Sequence, residues 1–226
     1  MSSKMNAVEV NRGHGNNSSK KSIKEQSAEI PEPQERPENA AIGGPIEAQT
    51  YQEEQIQKAI QWFAMYLNSE REIYYDIAKP LSDHAKHSLQ AYFGAALLDQ
   101  VRVLQLTDRR VDNPWFYPQA RAAGIRHLPD ITHKAAVTFL DVVVFNEKIT
   151  SRDLFHGLVH AAQVKTLGVP EFTDLFVRGF LQARSYFLVP LKAHAFALDA
   201  RYASNPDDHF SVEDEIRDWW RLGHYS

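Results

Sequence analysis

Between Ala135 and Gly168 the chain strings together an apolar run, a polar turn and a capped helix that carries two histidines one turn apart. Val137, Phe139 and Val142 to Phe145 are β-branched or aromatic and predict a strand over 135–145. Asn146-Glu147-Lys148 ends it. Thr150 or Ser151 offers an N-cap, and Asp153 places a negative charge in the first turn, where the helix dipole favours it. Leu154, Phe155, Leu158, Val159 and Ala162 make the apolar face, and Gly168 with Pro170 stops the helix. A strand thus leads directly into a helix with a buried face.

The flanking sequence predicts mostly helix around that unit. Ile56, Ile60, Phe63 and Leu67 recur at helical spacing from about residue 49, and a second helix is expected from Glu70 to Ile77, ahead of Pro80. Val101 to Leu106 reads as a short strand, and Trp115, Phe116 and Tyr117 sit in a proline-marked loop that either pins to the core or lines a pocket. Further helices are expected over 171–182, over 190–202 with Pro190 at the first position, and over 212–222, where Trp219 and Trp220 seal the core. The first aromatic residue is Tyr51, and Pro31, Pro33, Pro37 and Pro45 crowd the stretch before it. Such a segment buries too little apolar surface to offset its ordering entropy. The expected organisation is a disordered tail over 1–48 and one α+β domain, mostly helical with a small sheet, over 49–226.

Composition removes several function classes. With 25 Lys and Arg against 29 Asp and Glu, the net charge of −4 gives no footprint for nucleic acid or an anionic membrane. Cysteine is absent, which excludes thiol catalysis and thiolate metal sites. No apolar stretch is long enough for a membrane span and no secretory signal is evident, so a soluble cytoplasmic protein is expected. There is no Gly-rich phosphate loop and no nucleophile elbow.

The chemistry rests on His156 and His160. Residues four apart lie on one helical face, and two imidazoles so placed can close on one divalent ion at about 2.0–2.1 Å each. The alternative is a pair of buried histidines bonded to backbone carbonyls. His84 and His87 fall on a polar stretch and are expected to face solvent. Arg178, Arg184 and Arg201 are expected as surface or ion-pair groups, and Tyr186 either packs with its hydroxyl bonded or stabilises an oxyanion.

The segment from Asp153 to Gln163, reading D-L-F-H-G-L-V-H-A-A-Q, resembles the L-F-H-E-L-V-H-x-x-Q helix of zincin-type metallopeptidases. Ala136 to Val144 is similar to that family's edge strand. Val189 to Phe196 resembles a P-L-E-x-x-A-Y helix that supplies the third ligand in related uncharacterised bacterial proteins. The likeness extends over about residues 95–205 and implies a zincin-like fold, Zn²⁺ held by His156 and His160, and amide hydrolysis by metal-bound water. Two positions depart from it. Gly157 stands where the family has the general-base Glu, and Lys192 where a carboxylate ligand is expected. His194, two residues on, is the candidate replacement ligand, with Asp199, Glu147 and Asp141 as further carboxylates to place. Gly157 itself means either a position that faces a cavity or close backbone, where no side chain is needed, or a lost catalytic Glu with glycine merely tolerated. The expectation is a degenerate, zincin-like metal-binding protein. The alternative is a noncatalytic module that takes a peptide or protein along the edge strand at 136–145.

Overall fold

The computed structural model describes residues 51–183, 186–205 and 207–225. The tail expected over 1–48 lies outside these residues, as does Arg184. Helix α1 (Glu53–Tyr75) opens with a capping box formed by Gln52 and Gln55, then buries Ala59, Tyr66, Leu67 and Tyr74. It is one helix where two were expected. Asn68 and Ser69 look like a break, but the Asn68 Nδ2 donates to the Ala64 carbonyl (2.7 Å) and the Ser69 hydroxyl to that of Tyr66 (3.0 Å), so both polar side chains are satisfied within the helix.

Next come β1 (Lys79–Pro80), α2 (Asp83–Leu89), α3 (Ala95–Gln100), β2 (Arg102–Gln105) and α4 (Tyr117–Ala122). The apolar run over 135–145 is a hairpin rather than one strand, with β3 (Ala136–Phe139) and β4 (Val142–Phe145) paired antiparallel about Leu140-Asp141. Leu140 takes a positive φ of 56°, and Arg71 from α1 clamps Asp141 through two hydrogen bonds of 2.8 and 3.0 Å. The helices α5 (Ser151–Leu167), α6 (Val169–Gln182), α7 (Pro190–Ser204) and α8 (Val212–Arg221) complete an α+β domain in which helix predominates. Among the described residues no helix is long and apolar enough to cross a membrane.

The sheet order is β1-β2-β4-β3, with β2 and β4 parallel and the outer pairs antiparallel. All four residues of β4 are buried, which accounts for its unbroken apolar sequence. Helix α5 lies against this strand, fixed at its start by the Thr150 hydroxyl accepting from the Asp153 amide (3.1 Å). Its other side carries Phe155, stacked on Tyr202 at 4.2 Å within an aromatic cluster that includes Tyr92, Phe93 and Phe210.

Gly157 marks the closest approach of α5 to the sheet. A β-carbon there would lie 2.6 Å from Val143 Cγ1, and the Thr138 hydroxyl on β3 donates to the Gly157 carbonyl (3.1 Å). Of the two meanings left open for this residue, the geometry supports close packing. Gly157→Ala is therefore expected to destabilise the domain by about 1–3 kcal/mol through overpacking, despite alanine's better helix propensity. Urea unfolding in a double-variant cycle with Val143→Ala checks this: Gly157→Ala should cost less in the Val143→Ala background than in the unsubstituted chain.

Candidate functional site

Helices α1, α5, α6 and α7, strand β3 and the loop around Phe116 enclose a cavity of about 420 Å³. Most of its wall is apolar, supplied by Phe63, Leu67, Phe116, Tyr117, Ile125, Leu128, Phe176 and Phe180. Its polar end is formed by Arg152, His156 and His160 from α5, Tyr186 from the turn before α7, and Lys192 and Asp199 from α7. Phe116 and Tyr117 meet both expectations placed on the aromatic loop, being buried and lining the cavity, whereas Trp115 is exposed.

His156 and His160 do share one face, with ring centroids 4.8 Å apart. Their tautomers follow from their neighbours. Asp199 is buried and accepts on both oxygens: Oδ1 from Arg152 Nε and Nη2 (2.9 and 2.7 Å), Oδ2 from His156 Nδ1 (2.7 Å). His156 therefore carries its proton on Nδ1. Gln163, fully buried, donates its amide Nε2 to the Leu191 carbonyl (2.9 Å), which turns Oε1 toward His160 Nδ1 (2.8 Å). An oxygen there requires a proton on that nitrogen. Both rings, neutral, then have Nε2 lone pairs available, the protonation state a metal ligand needs, with the outer nitrogen oriented as ligating histidines usually are. Burial holds His156 and, more strongly, His160 below the usual histidine range. The Lys192 charge adds to the effect on both, and the bond to Asp199 works against it at His156.

Lys192 stands at the third corner. Its Nζ is 3.4 Å from His160 Nε2 and lies over the rings of Tyr186 (4.7 Å) and Phe196 (5.6 Å). The residue is 8% exposed, and burial draws its pKa down to about 8. Below that value the ammonium is the donor to the imidazole lone pair. Burial likewise pushes the Tyr186 hydroxyl up to about 12.

The remaining expectations separate. His194 is not brought to the pair. It is 1% exposed, stacks on Trp219 at 3.9 Å and bonds the Tyr225 hydroxyl through Nδ1 (2.6 Å), while its Nε2 has no hydrogen-bond partner among the described residues. The reason is its place on α7, two residues and about 200° beyond Lys192. His194 thus lies away from the pair, bonded to Tyr225 and outside the cavity lining. Asp199 supports His156 from the rear. Glu147 pairs with Arg110, and Asp141 with Arg71. Trp219 seals His194, whereas Trp220 is 48% exposed; Arg178 and Arg201 form ion pairs as expected. His84 and His87 do not line the cavity. The expected edge strand at 136–145 divides: β3 is the edge and borders the cavity, while β4 is internal. Arg152 was missed, although it lies four residues before His156 on the same face.

A catalytic zinc centre needs three protein ligands and an activated water. Two imidazoles here fit that role. The third position is an ammonium, and among the described residues no three His, Asp or Glu side chains gather as a metal site. Asp153 and Asp199 are the carboxylates of the cavity wall, and both are engaged, by Thr150 and by Arg152 with His156. No protein-family model, curated protein or solved structure matches the chain.

Two outcomes follow. Asp199→Asn should cost about 1–3 kcal/mol and release the His156 tautomer, visible as a change in its ring ¹⁵N shifts while those of His160 stay put. Burial, helped by His224, holds His194 down to about 4, below its unfolded value of 6.5. The unfolded chain then binds the extra proton, so stability falls as pH drops from 6.5 toward 4, by on the order of 2–3 kcal/mol. Urea unfolding across that range should show a shallower fall for His194→Gln than for the unsubstituted chain.

Proposed function

We propose that this domain is a noncatalytic binding protein of zincin-like layout, whose cavity takes a small apolar molecule and whose built-in cation, Lys192, stands where the resemblance calls for a metal ligand. The observation that carries this reading is the 3.4 Å approach of Lys192 Nζ to His160 Nε2. The hydrogen bond consumes the lone pair that a metal would use, and a divalent ion at the same point would meet a positive charge instead of a third donor. Hydrolysis finds little support in the same residues. General-base help is typically worth 10²- to 10⁴-fold, Gly157 cannot supply it, and the two carboxylates of the wall are committed elsewhere. What favours binding is the wall itself, mostly apolar, partly enclosed and within the usual size range of small-molecule sites.

Metal content tests the reading. Protein produced without an affinity tag in zinc-supplemented cells is expected to carry far less than one zinc per chain, and Lys192→Glu, which restores the carboxylate, to approach one. One zinc per chain without substitution would overturn the proposal, as would a Lys192→Glu protein that folds but gains none.

A further inference from the structure

Resting on that reading, we infer that the ligand is an apolar monocarboxylate, its carboxylate held at Lys192 and its hydrocarbon part in the aromatic cavity. Lys192 is buried, yet among the described residues no carboxylate lies within ion-pair distance of it. Of its three N–H donors one is directed at His160 Nε2; the other two have no protein acceptor among the described residues. An ammonium left so is costly unless something supplies acceptor oxygens, and a carboxylate supplies two on one carbon.

The charge around it agrees. Lys134 lines the same cavity and places its Nζ 4.8 Å from the Tyr186 ring, so two ammonium groups flank that ring. Lys134 also lacks a carboxylate partner among the described residues. Arg152 neutralises Asp199, and Lys134 and Lys192 against Asp153 leave the charge of the cavity wall net positive. Away from this end the cavity offers rings and aliphatic groups, with Phe63, Phe116, Ile125 and Phe176 among them. A volume of about 420 Å³ lies within the range of small-molecule sites.

The test is calorimetric titration of the full chain with decanoate and decan-1-ol, which share a tail and differ at the head, kept below micelle-forming concentrations. Decanoate is expected to bind at one site, roughly ten- to a hundredfold more tightly than decanol, the range for a charge-assisted hydrogen bond. Lys192→Met should remove that advantage and leave decanol unchanged. Equal affinities for the two on the unsubstituted chain would overturn the carboxylate assignment while leaving a binding cavity in place. No binding of either would overturn it as well, and zinc content judges the underlying reading separately. Because the head-group comparison needs no substitution, it stands even if Lys192→Met fails to fold.

Discussion

The approach of α5 to β4 at Gly157 sets the geometry on which the cavity depends. A glycine there lets the helix backbone approach Val143 more closely than any side chain would permit, and Thr138 ties the two through the Gly157 carbonyl. Once the helix is seated at that depth, residues 156 and 160 can face only the space between β3, α6 and α7. In a protein interior packed as densely as a crystal, such a contact has little slack, so the position is filled by shape before chemistry is considered. A glycine that looks like a missing catalytic group is, in this fold, a packing residue.

The polar end shows how buried groups determine one another's protons. Arg152 fixes Asp199, Asp199 fixes His156, and the Leu191 carbonyl fixes Gln163, which fixes His160. Each link uses an acceptor that cannot donate, or an amide whose orientation is already taken. Both lone pairs are therefore presented forward, and the cation that meets one of them belongs to the chain itself. An apolar wall with this head is suited to holding a molecule in place.

Much of the architecture was legible in residue spacing. The Thr150 cap, the Gly168 stop and Pro190 at a helix start each marked a boundary that the fold respects. The hairpin at 136–145 was not legible, because Leu140-Asp141 replaces the glycine or asparagine that normally signals a tight turn, and the support for Leu140's left-handed backbone comes from Arg71, seventy residues away from Asp141. The uninterrupted helix over Asn68 and Ser69 was hidden for a related reason, since their side chains serve local carbonyls. At the site, four-residue spacing was enough to place His156 and His160 together, whereas two-residue spacing from Lys192 turns His194 about 200° away. The pairing of Asp199 with Arg152 across α5 and α7 depends on how two helices pack, which neither helix's sequence states alone.

Gln163 has a wider consequence. Its amide takes its direction from a main-chain oxygen of α7 and passes it to His160. A rotation of that single amide would turn its nitrogen toward the imidazole and set its oxygen against the Leu191 carbonyl. The proton on one imidazole is thus read from a compass needle set by the backbone of another helix, and any change that frees the needle would blur which nitrogen carries that proton.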